Sequence, residues 1–346
     1  MTPEGPRVVA LGGGHGLAAT LGALRRVTDD VTAIVTVADD GGSSGRLRRE
    51  LGVLPPGDLR MALAALCGDD EWGQTWSKVV QHRFAGGGEL HGHAVGNLLI
   101  VALWELLGDT VDGLDWVGRL LGVQGRVLPM CSVPLEMVAL VGGIGPDGEL
   151  LDDSLAAGSA SGSGRRASVD AEPVEVRGQV AVAMTRGRVL GVRVEPPNPP
   201  GCAEALAAVQ AADWVLLGPG SWFTSVLPHV LVPDLARALV ESPARRIVNL
   251  NLVTQPGETE GYSPASHLEV LASHAPDLRI DVVVADSSVE NEPDVLAELE
   301  VAAASLGAKV VCADVAAPGG IGSTPRHDPA RLAAVYRDLF RRGRIN

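Results

Sequence analysis

Residues 8–46 read VVALGGGHGLAATLGALRRVTDDVTAIVTVADDGGSSGR, and that order leaves few ways to fold. An apolar β-branched run comes first, then a glycine cluster, then Leu17, Leu21 and Leu24 at helical spacing. A second apolar run over 31–37 ends in a second glycine cluster. The stretch predicts a βαβ unit, hence an α/β protein, with a glycine-rich loop after each strand. Such loops let backbone N–H groups approach an anion closely, and a helix start adds the positive end of its dipole. A phosphate-bearing ligand is the first functional expectation.

The first loop holds Gly12, Gly13, Gly14, His15 and Gly16. Gly14, Gly16 and Ala19 satisfy the dinucleotide pattern G-x-G-x-x-G/A, and Asp39 follows ~20 residues later. A glycine turn needed only for strand-to-helix packing explains this loop equally well. The second loop favours a ligand. It packs Asp39, Asp40, Gly41, Gly42, Ser43, Ser44, Gly45 and Arg46 together, whereas a plain dinucleotide unit needs one acid there. Carboxylates suit Mg²⁺ or ribose hydroxyls; hydroxyls, amides and arginine suit phosphate oxygens. The alternative is a solvated loop.

Composition narrows the partners. Aromatic residues make up 3% of the 346 and the formal net charge is −14, so stacking platforms are scarce and a nucleic-acid polymer would meet a repulsive field. Cys67, Cys131, Cys202 and Cys312 show neither a CxxC pair nor zinc spacing and read as reduced thiols. No basic n-region followed by an apolar core opens the chain, and no apolar run reaches the ~18 residues of a membrane span. A cytoplasmic protein without membrane insertion is expected.

Further along, LPPGDLR makes a rigid turn in which Asp58 is placed to N-cap a helix over 59–66. In ELHGHAVGNLLIVALWELL the apolar stripe starting at Val95 predicts an amphipathic helix, with His93, Gly96 and Asn97 in its first turn. His91 and His93 read as surface or capping histidines rather than a metal pair, since no third ligand accompanies them. Residues 133–196 alternate as strands, with a hairpin turn at Arg186-Gly187 between 180–184 and 189–194. The small-residue tract AAGSASGSGRR over 156–166 reads as a mobile loop.

The α/β pattern then resumes. Apolar runs over 214–217 and 247–253 open into Gly218-Pro219-Gly220-Ser221 with Thr224, and into Thr254-Gln255-Pro256-Gly257-Glu258-Thr259. In an open parallel sheet the carboxyl ends lie along one edge, so all four loops can converge on one crevice. Runs over 282–285 and 309–312 read as buried strands; Asp328 caps a last helix, with Pro329 at its first position and Arg341 and Arg342 at its end. Arg326, just before that helix, reads equally as a surface residue or a phosphate contact. Three segments are expected: 1–131, an N-terminal half with the two glycine loops; 132–197, a β-rich insertion; and 198–346, a half completing the crevice.

The ordered motifs GGGHGL, TVADDGGSSGRLR, LPPGDLR, HAVGNLL, LGPGSWFTSVLP and TQPGETEGY resemble the bacterial gluconeogenesis-factor (YvcK) family, which is related to the 2-phospho-L-lactate transferases (CofD) of coenzyme F420 synthesis. The resemblance runs over nearly the whole chain. It implies a Rossmann-like three-layer fold, binding of UDP-sugars such as UDP-N-acetylglucosamine, and a role in growth on gluconeogenic carbon and in cell shape. It places Gly12 to Gly16, Leu17, the loop from Asp39 to Arg46, Asp58, Arg60, His93, Asn97, Gly218, Pro219, Gly220, Ser221 and Thr224 around the nucleotide. Two departures stand out: Trp222-Phe223 replaces the Leu-Tyr frequent in relatives, losing a phenolic hydroxyl, and the 156–166 tract is longer.

The expectation is a UDP-sugar-binding regulator with no catalytic residue and no required cofactor. Its rivals are a CofD-like transferase, with Mg²⁺ on Asp39 and Asp40, and an NAD-dependent oxidoreductase resting on Gly14, Gly16, Ala19 and Asp39. A P-loop NTPase is set aside, because Lys78 and Lys309 are the only lysines and neither has the required context. A homodimer and an unidentified regulatory protein partner are both compatible with the sequence, which fixes neither.

Overall fold

A computed structural model describes residues 5–145, 149, 172–255, 258–319 and 324–343. Strand β1 (Val8–Gly12) leads into helix α1 (Gly14–Leu24), which buries Leu17, Leu21 and Leu24 as their spacing predicts. After β2 (Val31–Val35) come α2 (Gly42–Leu51), α3 (Gly57–Ala65), α4 (Glu71–Gln81), α5 (Val95–Leu107), α6 (Thr110–Leu121) and β3 (Arg126–Pro129). The insertion holds β4 (Glu136–Gly142), β5 (Val174–Arg177), the short helix α7 (Gln179–Ala183) and β6 (Arg188–Glu195). The chain continues through α8 (Ala203–Ala211), β7 (Trp214–Leu217), a π-helical turn at Trp222–Val226, α9 (Pro228–Leu231), α10 (Pro233–Glu241) and β8 (Arg245–Asn249). It ends with α11 (Pro264–His274), β9 (Val282–Asp286), α12 (Pro293–Ser305), β10 (Lys309–Ala313) and α13 (Pro329–Gly343).

The main sheet has seven parallel strands in the order β10-β9-β8-β7-β1-β2-β3, flanked by helices. Strands β1 and β7 are buried along their whole length, as continuous apolar runs in a parallel sheet require. The chain builds outward from β1 through β2 to β3, then returns to the other side of β1 with β7 and builds outward again. That reversal opens a crevice at the carboxyl ends of β1 and β7.

Most sequence expectations hold: Asp328 Oδ1 accepts the N–H groups of Ala330 and Arg331 at 2.7 and 3.2 Å, capping α13. Four do not. Residues 180–184 are not a hairpin arm but lie in α7 and just after it; β6 instead pairs with β4, the centre of the antiparallel sheet β5-β4-β6. An alternating run of five small apolar residues fits one helical turn as well as a strand, and capping decides between them. The strand expected over 247–253 stops at Asn249. Asp58 does not cap α3, whose cap is Pro56; it sits in the first turn with its carboxyl facing Gly13. His93 precedes Ala94, the cap of α5, and is buried rather than a surface residue. The 156–166 tract lies outside the described residues.

Candidate functional site

At the crevice the loops after β1 and β7 are packed against each other. A methyl group on Gly16 would overlap the Pro219 carbonyl oxygen, so glycine is what lets α1 approach so closely. From β8, Asn249 Nδ2 donates to the Gly218 carbonyl at 3.2 Å, as does Thr20 Oγ1 from α1 at 3.2 Å. Asn251 holds Gly220 on both sides, accepting its N–H at 2.9 Å and donating to its carbonyl at 2.8 Å. Glu258 is buried beneath the π-helical turn. It accepts the Ser221 hydroxyl at 2.5 Å and the N–H groups of Phe223 and Thr224 at 2.8 and 2.9 Å. Burial pushes its carboxyl above the usual range against these bonds.

The other wall is acidic. Asp58 Oδ2 stands 2.5 Å from where a Cβ on Gly13 would lie, and Asp39 Oδ2 stands 2.8 Å from the equivalent point on Gly57, so both glycines open space for carboxylates. Burial, then the Asp39 charge, push the Asp58 carboxyl up to about 7, while the Gly14 amide pulls the other way. Thr36 packs its methyl group against Gly13 and leaves its buried hydroxyl without a partner among the described residues. Gly14 itself has a φ of 57° and open space where a Cβ would stand, so backbone conformation rather than crowding reserves that position for glycine.

The second loop is fixed from behind. Ser43 Oγ accepts from Asn97 Nδ2 at 3.0 Å and from the Ala94 N–H at 3.4 Å, so its own proton goes to His93 Nδ1 at 3.0 Å. His93 in this arrangement carries its ring proton on Nε2; burial and then the Arg46 charge lower its pKa. Arg46 donates to the His91 carbonyl at 2.6 Å and the Glu89 carbonyl at 3.3 Å. Arg60 is buried in α3 and donates to Gln81.

Two expected site residues lie apart from this cluster's chemistry. Asp40 Oδ1 accepts the Val180 N–H at 3.0 Å, so its carboxylate caps α7 and does not pair with Asp39. Arg326 is exposed, with its carbonyl accepting the Ala317 N–H at 2.7 Å. His15 is exposed on α1 and Leu17 is core. Sequence reasoning missed Thr36, Asn249 and Asn251 as site residues and named Glu258 only as part of a loop. Asn-Leu-Asn directly after an apolar strand was the available signal, since polar side chains at a strand's carboxyl end face the crevice. Among the described residues no group of three or more His, Cys, Asp or Glu is arranged to hold a metal ion.

Comparison with known proteins bears on the family and the fold. The family model described as 2-phospho-L-lactate transferase CofD matches residues 8–316. A protein of Mycobacterium tuberculosis carrying the gluconeogenesis-factor name is 52% identical over 329 residues, covering 95% of this chain and 88% of its own. The gluconeogenesis factor of Bacillus subtilis is 35% identical, covering 84% of this chain and 80% of its own. The crystal structure of a UPF0052 family member from Bacillus halodurans superposes with a TM-score of 0.77 at 29% identity, covering 96% of this chain and 98% of that one.

Proposed function

This chain belongs to the gluconeogenesis-factor family related to CofD, and from that membership we propose that it is a cytoplasmic UDP-sugar-binding regulator of growth on gluconeogenic carbon and of cell shape. One observation carries the binding part: the glycine loops after β1 and β7 meet at the switch point of a parallel sheet, the place where such sheets take nucleotides. Asp39 and Asp58 on the β2 side suit ribose hydroxyls, which donate to carboxylates without a metal. The absence of a helix long and apolar enough to cross a membrane among the described residues is compatible with the cytoplasmic setting. Titrating the purified protein with UDP-N-acetylglucosamine, UDP-glucose, GDP and NAD tests this reading. UDP-sugar binding that survives EDTA is expected; preference for NAD, or no binding of any UDP-sugar, overturns it.

A transferase is the second reading, and the approach of Asp39 to Asp58 is what favours it. The residues able to hold a divalent cation are then Asp39 and Asp58, not Asp39 and Asp40. Two carboxylates suit Mg²⁺, which keeps several waters and, when bound, would neutralise charge on a diphosphate.

A further inference from the structure

Among the described residues two arginines are deeply buried, and they are bonded in opposite ways. Arg246, 8% exposed, donates from Nε and Nη2 to the carbonyls of Leu239, Val240 and Ser242 at the end of α10. Arg60, 4% exposed, donates to Gln81 alone, and its Nε has no partner among the described residues. Asp58 and Asp39 act on Arg60 through space without an ion pair. A buried guanidinium with unmet donors costs free energy that a structural role would not require.

Arg83 acts on Arg60 as a like charge. Arg46 and Arg83 donate to consecutive carbonyls, Arg46 to His91 at 2.6 Å and Arg83 to Gly92 at 2.8 Å. The Arg60 side chain packs on the same segment, with Cγ 2.9 Å from where a Cβ on Gly96 would stand. His93 lies on this segment and feels the Arg46 and Arg83 charges, and its Nε2–H is a donor because Ser43 occupies Nδ1. Burial and Arg83 together pull the Arg60 pKa down to about 10, against the opposing charges of Asp58 and Asp39. In a chain with a net charge of −14 this grouping of three guanidiniums is held by neutral carbonyl and amide oxygens.

We propose that Arg46, Arg60 and Arg83, with the Nε2–H of His93, form a subsite for a phosphate-type oxyanion on the α3 and α5 side of the crevice. A phosphate oxygen bridging these donors would satisfy Arg60 and relieve the repulsion between the guanidiniums. The subsite deepens the nucleotide-sugar reading, whose diphosphate is one source of such an anion. A separate small phosphate compound is the other.

The full-length protein, in metal-free buffer of fixed ionic strength, is titrated with inorganic pyrophosphate by calorimetry and by thermal melting. Wild type is expected to bind, Arg83→Ala to bind about tenfold more weakly, and Arg60→Met not to bind. Arg119→Ala, which removes a cation lying over the Trp116 ring elsewhere, is expected to bind as wild type does. No binding to wild type, or unchanged binding to Arg83→Ala, overturns the proposal. Without pyrophosphate, Arg60→Met should melt at or above wild type, because an underbonded cation is lost; melting well below it would make Arg60 structural and overturn the assignment. Displacement of pyrophosphate by UDP-N-acetylglucosamine assigns the subsite to that ligand's diphosphate, and simultaneous binding assigns it to a separate anion. Pyrophosphate binding without any UDP-sugar binding leaves the subsite standing and removes the nucleotide-sugar reading.

Discussion

The raised pKa of Asp58 should be visible in the stability of the whole protein. Its folded pKa of about 7 lies above the ordinary 3.8, so between those values the folded state holds a proton that the unfolded chain has released. Stability contributed by this group therefore falls as pH rises through that window, and the cost is complete above pH 7. Full conversion of the shift would exceed 4 kcal/mol by ~1.4 kcal/mol per unit, and partial exposure of Asp58 brings it to about 2 kcal/mol. Asp58→Asn should raise stability by about that amount at pH 8, with the gain gone near pH 4; urea melts at both pH values check it. Gly16 offers a second residue-scale test. Gly16→Ala should push the first loop off Pro219 and weaken ligand binding at least tenfold while circular dichroism stays native-like. It is a cleaner probe than Gly14→Val, since Gly14 adopts a left-handed backbone that valine resists whether or not a ligand is present. The sequence shows that both positions are glycine; it does not show which is reserved by a neighbour's carbonyl and which by its own φ.

Among the elements, α7 matters most because it joins parts that the sequence separates by 140 positions. Its Val180 N–H is capped by Asp40 from the second glycine loop, Val180 packs against Gly41, and α7 touches the π-helical turn after β7. Asp40→Ala should free α7, seen as faster amide hydrogen exchange over 179–184 with β1 and β7 unchanged; equal protection in both proteins would show that packing alone holds it. Glu258 does for the π-helical turn what Asp40 does for α7. Glu258→Ala leaves two buried N–H groups and a hydroxyl unpaired and should cost about 2–4 kcal/mol in a denaturant melt, whereas Glu258→Gln keeps an acceptor and should cost less. Strands and long helices were legible because their apolar periodicity is set within each segment. The identity of α7 and the roles of Asp40 and Glu258 were not, because each depends on a hydrogen-bond partner delivered by tertiary structure. Ser43, His93 and Asn97 fall between these cases: their motifs mark the loop and the helix start, but only the fold joins them through one hydroxyl.

At the scale of the molecule, the strand order decides what the loops can do together. Four glycine-bearing strand ends were readable from sequence, and the parallel sheet places them along one edge; the neighbour relation of β1 and β7, which makes the crevice, comes from the return of the chain across β1. The crevice gathers both signs of charge, since Asp39 and Asp58 act through space on Arg60, as Arg83 does. That polarity separates regulator from transferase. A transferase must stabilise charge that develops as a diphosphate linkage breaks, so it should need a divalent cation on the acidic wall and lose turnover in Asp39→Asn or Asp58→Asn. A regulator needs only binding that differs between two conformations, and carboxylates that accept ribose hydroxyls provide contact without metal. The cationic side can neutralise a diphosphate by itself, which removes the main reason for recruiting a metal. UDP-sugar affinity is therefore expected to change less than threefold on adding EDTA, with no nucleotide released during prolonged incubation with a deazaflavin acceptor and an activated phospholactate donor. Metal-dependent formation of the phospholactyl product, lost in Asp58→Asn, would replace the regulator with the transferase.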